Sequence, residues 1–155
     1  MPALPSGVQS AAVDGFRLAY DRVGSGPPVL LLHGWPGDRT DYRKAVPLLV
    51  DRADVLVPDL RGFGGSDKHD VDPAAQYSAA AQTRSVAGLL DELGLREVVV
   101  AGYDVGSRVA QTLAVARPDL VRALVVTPPV PVPATGSSPP IRCESSGTRG
   151  STSWP

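Results

Sequence analysis

Gly102-Tyr103-Asp104-Val105-Gly106 places one carboxylate between two glycines at an abrupt change of pattern. Val98, Val99, Val100 and Ala101 precede it as a short apolar run, suited to a strand buried on both faces of a parallel sheet. From Gly106 onward Val109, Leu113 and Ala116 recur at spacings of four and three, which predicts a helix. Asp104 therefore falls where a buried strand turns sharply into a helix, the geometry of a nucleophile elbow, usually written G-x-S-x-G. Small residues at 102 and 106 permit the tight turn, and the apex residue is held strained and pointing outward. A serine at such an apex needs a base to become a nucleophile. A carboxylate is ionised at neutral pH and attacks an electrophilic carbon directly, giving an alkyl ester. Strained or good-leaving-group carbons, epoxides and alkyl halides, are the matching targets. A plainer reading is that Asp104 only caps the helix, and the motif by itself leaves both open.

The elements around this stretch describe a fold. Asp14-Gly15 is a hairpin signal between extended runs at 8–13 and 16–21. Gly24 to Pro28 is a loop. Val29 to Leu32 is a buried strand ending in His33-Gly34-Trp35-Pro36-Gly37. Residues 40–50 are predicted helical, with Thr40 or Asp41 as N-cap and Pro47 interrupting or restarting the helix. Asp54 to Pro58 is a strand, followed by the Gly-rich loop 59–67 and an irregular polar stretch at 68–77. Ser78 caps a helix through Leu93 whose Val86, Leu89, Leu90 and Leu93 share a face, and Gly94 ends it. Pro118 stops the elbow helix, and Val121 to Val126 is one more buried strand. Alternating strands and helices predict an α/β protein with a mostly parallel sheet and helices on both faces.

Composition narrows the class. The 155 residues are 43% hydrophobic and 20% charged with net charge −1, which suits one soluble domain and disfavours nucleic acid or a membrane surface as partner. A single Cys143 allows no internal disulfide, and neither a leader-like segment nor a membrane-spanning apolar run is expected, so a cytoplasmic location is the expectation. No metal-ligand cluster appears, and Gly62-Phe63-Gly64-Gly65 lacks the Lys-Ser/Thr ending of a phosphate loop, so neither cofactor nor metal is expected. Residues 129–155 hold 18 Pro, Ser, Gly or Thr among 27 and keep no helical or strand period. This divides the chain into a core at 1–128 and a tail at 129–155 that is expected to be disordered. The arginine bias, 13 Arg against 2 Lys, suits a GC-rich gene in which that tail is read out of frame.

Three motifs in order, His33-Gly34-Trp35-Pro36, Asp59-Leu60-Arg61-Gly62-Phe63-Gly64-Gly65-Ser66-Asp67 and the Asp104 elbow, resemble the N-terminal part of an α/β-hydrolase close to the epoxide hydrolase branch. The resemblance covers residues 8–128 and implies an incomplete α/β-hydrolase fold, without lid and last strands. It implies that Asp104 is the nucleophile and that the backbone N–H groups of Trp35 and Val105 form an oxyanion hole. His33, Gly34, Pro36, Gly102 and Gly106 are then motif or scaffold residues, His33 as a hydrogen-bonded scaffold histidine. His69 falls in a solvated loop, and Arg61 and Asp67 are loop anchors. The substrate it implies is a small epoxide or similar electrophile. Val105 differs from the Trp that haloalkane dehalogenases place after the nucleophile and from the Arg of fluoroacetate-type dehalogenases. The family's later parts, a His base oriented by a second carboxylate and two lid tyrosines, have no counterpart here. The two histidines are His33 and His69, and Tyr20, Tyr42, Tyr77 and Tyr103 all precede the lid position. The expectation is a chain that is inactive or alkylates Asp104 once. A haloalkane dehalogenase-like hydrolase and a non-catalytic interaction module pairing through an exposed final strand are the alternatives. A serine esterase is disfavoured, since Ser107 lies in the helix rather than at the apex.

Overall fold

The structure is a computed structural model that describes residues 7–128; the expected tail at 129–155 lies outside the described residues. Six strands form one sheet in the order β1-β2-β4-β3-β5-β6. They are β1 (Val8–Gln9), β2 (Ala19–Gly24), β3 (Pro28–Leu32), β4 (Asp54–Pro58), β5 (Val98–Tyr103) and β6 (Val121–Thr127). β3 to β4, β3 to β5 and β5 to β6 pair in parallel, whereas β1 and β2 add an antiparallel margin.

The pleat sorts the apolar residues between two layers, because successive strand side chains point to opposite faces. Leu30 and Leu32 of β3, Leu56 of β4 and Val98 and Val100 of β5 join the larger core. That core is closed by Val86, Leu89 and Leu90 of α3 (Ala79–Glu92) and Val109 and Leu113 of α4 (Val105–Ala116). Leu31, Val55 and Val57 point the other way, onto Val46 of the short helix α1 (Val46–Leu49) and Tyr42 of the 3-10 helix before it (Arg39–Lys44). The mostly parallel sheet with helical cover on both faces is thus present, with the thicker layer on the α3/α4 side.

Local chemistry sets the boundaries. Asp14 and Gly15 both have positive φ, 53° and 82°, as a two-residue hairpin of the I′ type demands, and Val13 and Phe16 exchange backbone hydrogen bonds across it. The flanking strands differ from 8–13 and 16–21. Ser10 Oγ accepts the Leu18 N–H at 2.9 Å, β1 is only two residues long, and β2 runs on to Gly24 because it finds its main partner in β4. The helix expected at 40–50 is two pieces. Asp38, not Thr40 or Asp41, caps the first, accepting the Thr40 N–H at 2.8 Å, and Pro47 opens the second in the first turn, where its missing N–H costs nothing. The stretch 68–77 contains a turn of helix, α2 (Pro73–Gln76), capped by Asp72. Ser78 caps α3 through the Ala81 N–H, and Gly94 (φ 65°) follows its end.

β6 is not the doubly buried strand its apolar run predicts, and lies at the exposed edge that the final strand was expected to form. It is the outermost strand of the described sheet, and Val125 is 62% exposed. Val121, Leu124 and Val126 still pack against the main core, so one face is covered while the other stands open. Among the described residues no helix is long and apolar enough to cross a membrane.

Candidate active site

β5 delivers Asp104 at its carboxyl end, and α4 begins at the next residue. Asp104 has φ 50° and ψ −116°, a conformation that side chains rarely adopt. Its surroundings impose it. A Cβ at Gly102 would lie 2.6 Å from the Gly106 carbonyl carbon, and one at Gly106 would lie 2.6 Å from the His33 carbonyl oxygen. Backbone meets backbone at both points, so only glycine allows strand, helix and the β3 loop to approach this closely. The Asp104 N–H donates to the Thr127 carbonyl at 3.1 Å, tying the apex to the end of β6. The Asp104 side chain makes no cap bond to its helix, which removes the capping reading.

The carboxylate instead faces the loop after β3. The Trp35 N–H donates to Asp104 Oδ2 at 2.8 Å across 69 residues of sequence. The Trp35 side chain is 70% exposed, so the contribution of this residue to the site is its backbone. The Trp35-Pro36 peptide is cis. Val105 occupies the first position of α4, where backbone N–H groups have no intrahelical acceptor. An open depression of about 430 Å³ beside Asp104 is lined by Tyr77, Ser78, Gln82, Val105 and Arg108. A second, of about 420 Å³, shares Tyr77, Gln82 and Val105 and extends to Phe63 and Lys68.

The scaffold residues hold this floor. His33 is fully buried; its Nε2 accepts the Leu60 N–H at 3.0 Å, so Nδ1 carries the proton and donates to the Gly34 carbonyl at 2.9 Å. Both nitrogens are committed to the two loops. Asp59 is fully buried and accepts from the Arg39 N–H at 2.6 Å, the Gly65 N–H at 2.7 Å and the Arg39 guanidinium. Arg61 is also fully buried, bonded to Ser85 Oγ, the Val13 carbonyl and Asp14, with its guanidinium 4.6 Å from the Phe16 ring centroid. The Asp67 backbone carbonyl accepts the Gly62 N–H, and its side chain accepts the Arg17 N–H. His69 is exposed, with Nε2 3.0 Å from the Gly15 carbonyl oxygen. Ser107 is fully buried and donates to the Pro128 carbonyl, away from the apex.

One pair was not visible in the sequence. Tyr103, next to Asp104, donates its hydroxyl to Asp41 Oδ2 at 2.6 Å. Burial and this bond both raise the Tyr103 pKa. Tyr42 lies edge-on to it, ring centroids 6.2 Å apart, and burial raises its pKa further. No local motif announces a contact between residues 62 positions apart.

An apex at the end of a central parallel strand, backed by a backbone donor from the neighbouring strand's loop, defines the class. The alpha/beta hydrolase fold family model matches residues 27–141, and the chain belongs to that family. It is 36% identical over 121 residues to the soluble epoxide hydrolase of Corynebacterium sp. (strain C12), covering 78% of this chain and 41% of that one. It is 38% identical over 109 residues to a fluoroacetate dehalogenase of Burkholderia sp, covering 70% and 36%. Among solved structures, an epoxide hydrolase from Vigna radiata superposes with a TM-score of 0.72 at 26% identity, covering 81% of this chain and 39% of that one. The chain thus spans about two fifths of the length of the relatives it matches.

Proposed function

We propose that this chain carries the nucleophilic half of an epoxide hydrolase-like reaction on a small-molecule electrophile. The observation that carries the reading is the Trp35 N–H held 2.8 Å from Asp104 Oδ2 at an exposed, strained apex. One carboxylate oxygen is occupied by a donor, while Oδ1 has no hydrogen-bond partner among the described residues, and the residue is exposed.

In the first step Oδ1 attacks an epoxide carbon. A C–O bond forms to Asp104, the ring C–O bond breaks, and the ring oxygen leaves as an alkoxide that takes a proton from water. In the second step water adds to the Asp104 ester carbonyl. The negative charge develops on Oδ2, where the Trp35 and Val105 N–H groups stabilise it; a single donor of this kind is worth about 3 kcal/mol. Collapse releases the diol and restores the carboxylate. That second step calls for a base that takes the proton of the attacking water. His33 is spent on Leu60 and Gly34, and His69 sits against Gly15. Within these 155 residues no histidine follows Asp104. The chain by itself therefore stops at the ester.

Incubation with a reactive aryl epoxide, followed by intact mass and peptide mapping, tests this. One persistent adduct on Asp104 is expected. Catalytic amounts of diol would refute the single-turnover reading, and an unmodified Asp104 would refute the nucleophile. Halide release from a haloalkane, with no epoxide adduct, would move the reading to a dehalogenase.

A further inference from the structure

The loop that presents the Trp35 N–H is not held by its own turn alone. Gly37 N–H donates to the Gly34 carbonyl at 3.0 Å, closing a four-residue turn. Tyr103 reaches from the end of β5 to both ends of that turn. At one end its ring fills the space beside Gly34, where a Cβ would come within 2.5 Å of Cε2 and 2.9 Å of the Asp104 Cβ. At the other end its hydroxyl bonds Asp41 Oδ2, and a Cβ at Gly37 would lie 3.0 Å from that hydroxyl and overlap the Asp41 carboxylate. Trp35 lies between these two glycines. Tyr42, the neighbour of Asp41, donates to the Leu32 carbonyl at 2.9 Å and so anchors the 3-10 helix to the end of β3.

The geometry points to Tyr103 and Asp41 as a positioning pair that sets the Trp35 N–H against Asp104 Oδ2. Tyr103 touches no reacting atom. It acts because it is covalently next to Asp104 and clasps the turn that carries the donor. Nucleophile and donor are then referenced to one rigid side chain rather than to two independent loops. Precision of this kind matters, because a displacement of about 1 Å in such a site costs about a hundredfold in rate. The hydroxyl stays protonated through neutral pH because burial and Asp41 both disfavour the phenolate. The assignment rests on the reading of Asp104 as nucleophile only for its effect on rate; the hydrogen bond itself is testable alone.

The test follows the Trp35 backbone amide in the ¹⁵N-labelled 155-residue chain by hydrogen exchange, alongside Asp104 alkylation by the same aryl epoxide. Asp104→Ala removes the acceptor and gives the exchange rate of a released amide. Tyr103→Phe and Asp41→Ala are expected to accelerate Trp35 exchange about tenfold towards that ceiling. Both keep the melting temperature within about 4 °C of the parent, because the lost bond lies on the exposed side of the loop. Asp41→Asn, whose amide oxygen still accepts from the hydroxyl, is expected to restore exchange to within about twofold of the parent. Alkylation should slow in the same order. If Trp35 exchange is the same in Tyr103→Phe as in the parent, or if Asp41→Asn is as fast as Asp41→Ala, the positioning role is wrong whatever alkylation does. If the exchange pattern holds but no variant is alkylated, the positioning stands and the nucleophile reading falls.

Discussion

Asp59 and Asp104 begin from the same situation and end in opposite ones. Each is the first residue after a parallel strand, β4 or β5, at the carboxyl edge of the same sheet, and each has a glycine within three residues downstream. Asp59 is fully buried and takes two backbone N–H groups and the Arg39 guanidinium. Asp104 is exposed and takes one N–H, from Trp35. The downstream chain makes the difference. After Asp59 it folds back as a loop whose Gly65 amide turns inward to the carboxylate, opposite the Arg39 amide of the 3-10 helix. After Asp104 it enters a helix at once, and the positive φ swings the side chain out of the sheet. Saturating a carboxylate with donors makes it a structural post; leaving one oxygen free makes it available for chemistry.

Removing each carboxylate should therefore break different properties. Asp59→Ala leaves the Arg39 and Gly65 N–H groups without their acceptor and Arg39 with only Asp21 for a partner. Losing one side of a buried ion pair costs about 3–5 kcal/mol, a large share of the stability of a domain this size. Urea unfolding should show that loss, if the variant folds at all. Asp104→Asn should abolish the epoxide adduct and move the urea midpoint little, since the apex remains exposed. An Asp104→Asn variant as damaged as Asp59→Ala would erase the contrast.

The glycines around the apex sharpen the comparison at a smaller scale. Gly106→Ala forces a methyl onto the His33 and Leu32 carbonyls, and neither backbone can retreat without moving β3. A loss of about 1–3 kcal/mol is expected by chemical denaturation, the range for overpacking, with the adduct lost at the same time. Asp104→Gly, by contrast, relieves the positive φ and is expected to stabilise the chain by about 1 kcal/mol, while removing the proposed nucleophile. A destabilised Asp104→Gly would mean that the apex stores no strain.

How much of the molecule was legible in the sequence depends on the range of each interaction. The strands, α3 with its Ser78 cap and Gly94 stop, and the elbow were legible because period, cap and turn chemistry are encoded within a few residues. Asp38 as the cap of the 3-10 helix and Asp72-Pro73 opening α2 carried local signals that a helix expected at 40–50 and an irregular stretch at 68–77 overlooked. The run in β6 by itself looked buried, because an apolar run says nothing about whether a further strand lies beside it; its edge position followed from the expectation of a sheet without its last strands. The Trp35 to Asp104 bond was reached only through the resemblance of the motifs, and Tyr103 to Asp41 not at all. Both depend on β3 and β5 being neighbours in space, a fact of topology rather than of local pattern.

The smallest expected effect concerns the tyrosines near Asp104. Burial, joined by the Asp41 bond for Tyr103, raises the pKa of both Tyr103 and Tyr42 in the folded chain, whereas an unfolded tyrosine titrates near its ordinary value of about 10. A group whose folded pKa is raised stabilises the fold fully below the unfolded value and loses that contribution as pH climbs towards the folded one. Stability should be flat on this account up to about pH 9 and fall above about pH 10. Tyr103 is the more exposed of the two and so contributes less. In Tyr103→Phe the decline, followed by urea midpoint against pH, should be shallower but still present through Tyr42. An unchanged decline would show that the hydroxyl bonded to Asp41 carries none of the alkaline sensitivity. Asp59 is surrounded instead by amides and a guanidinium. The alkaline limb thus separates the two carboxylates once more, through the side chains that surround them rather than through the carboxylates themselves.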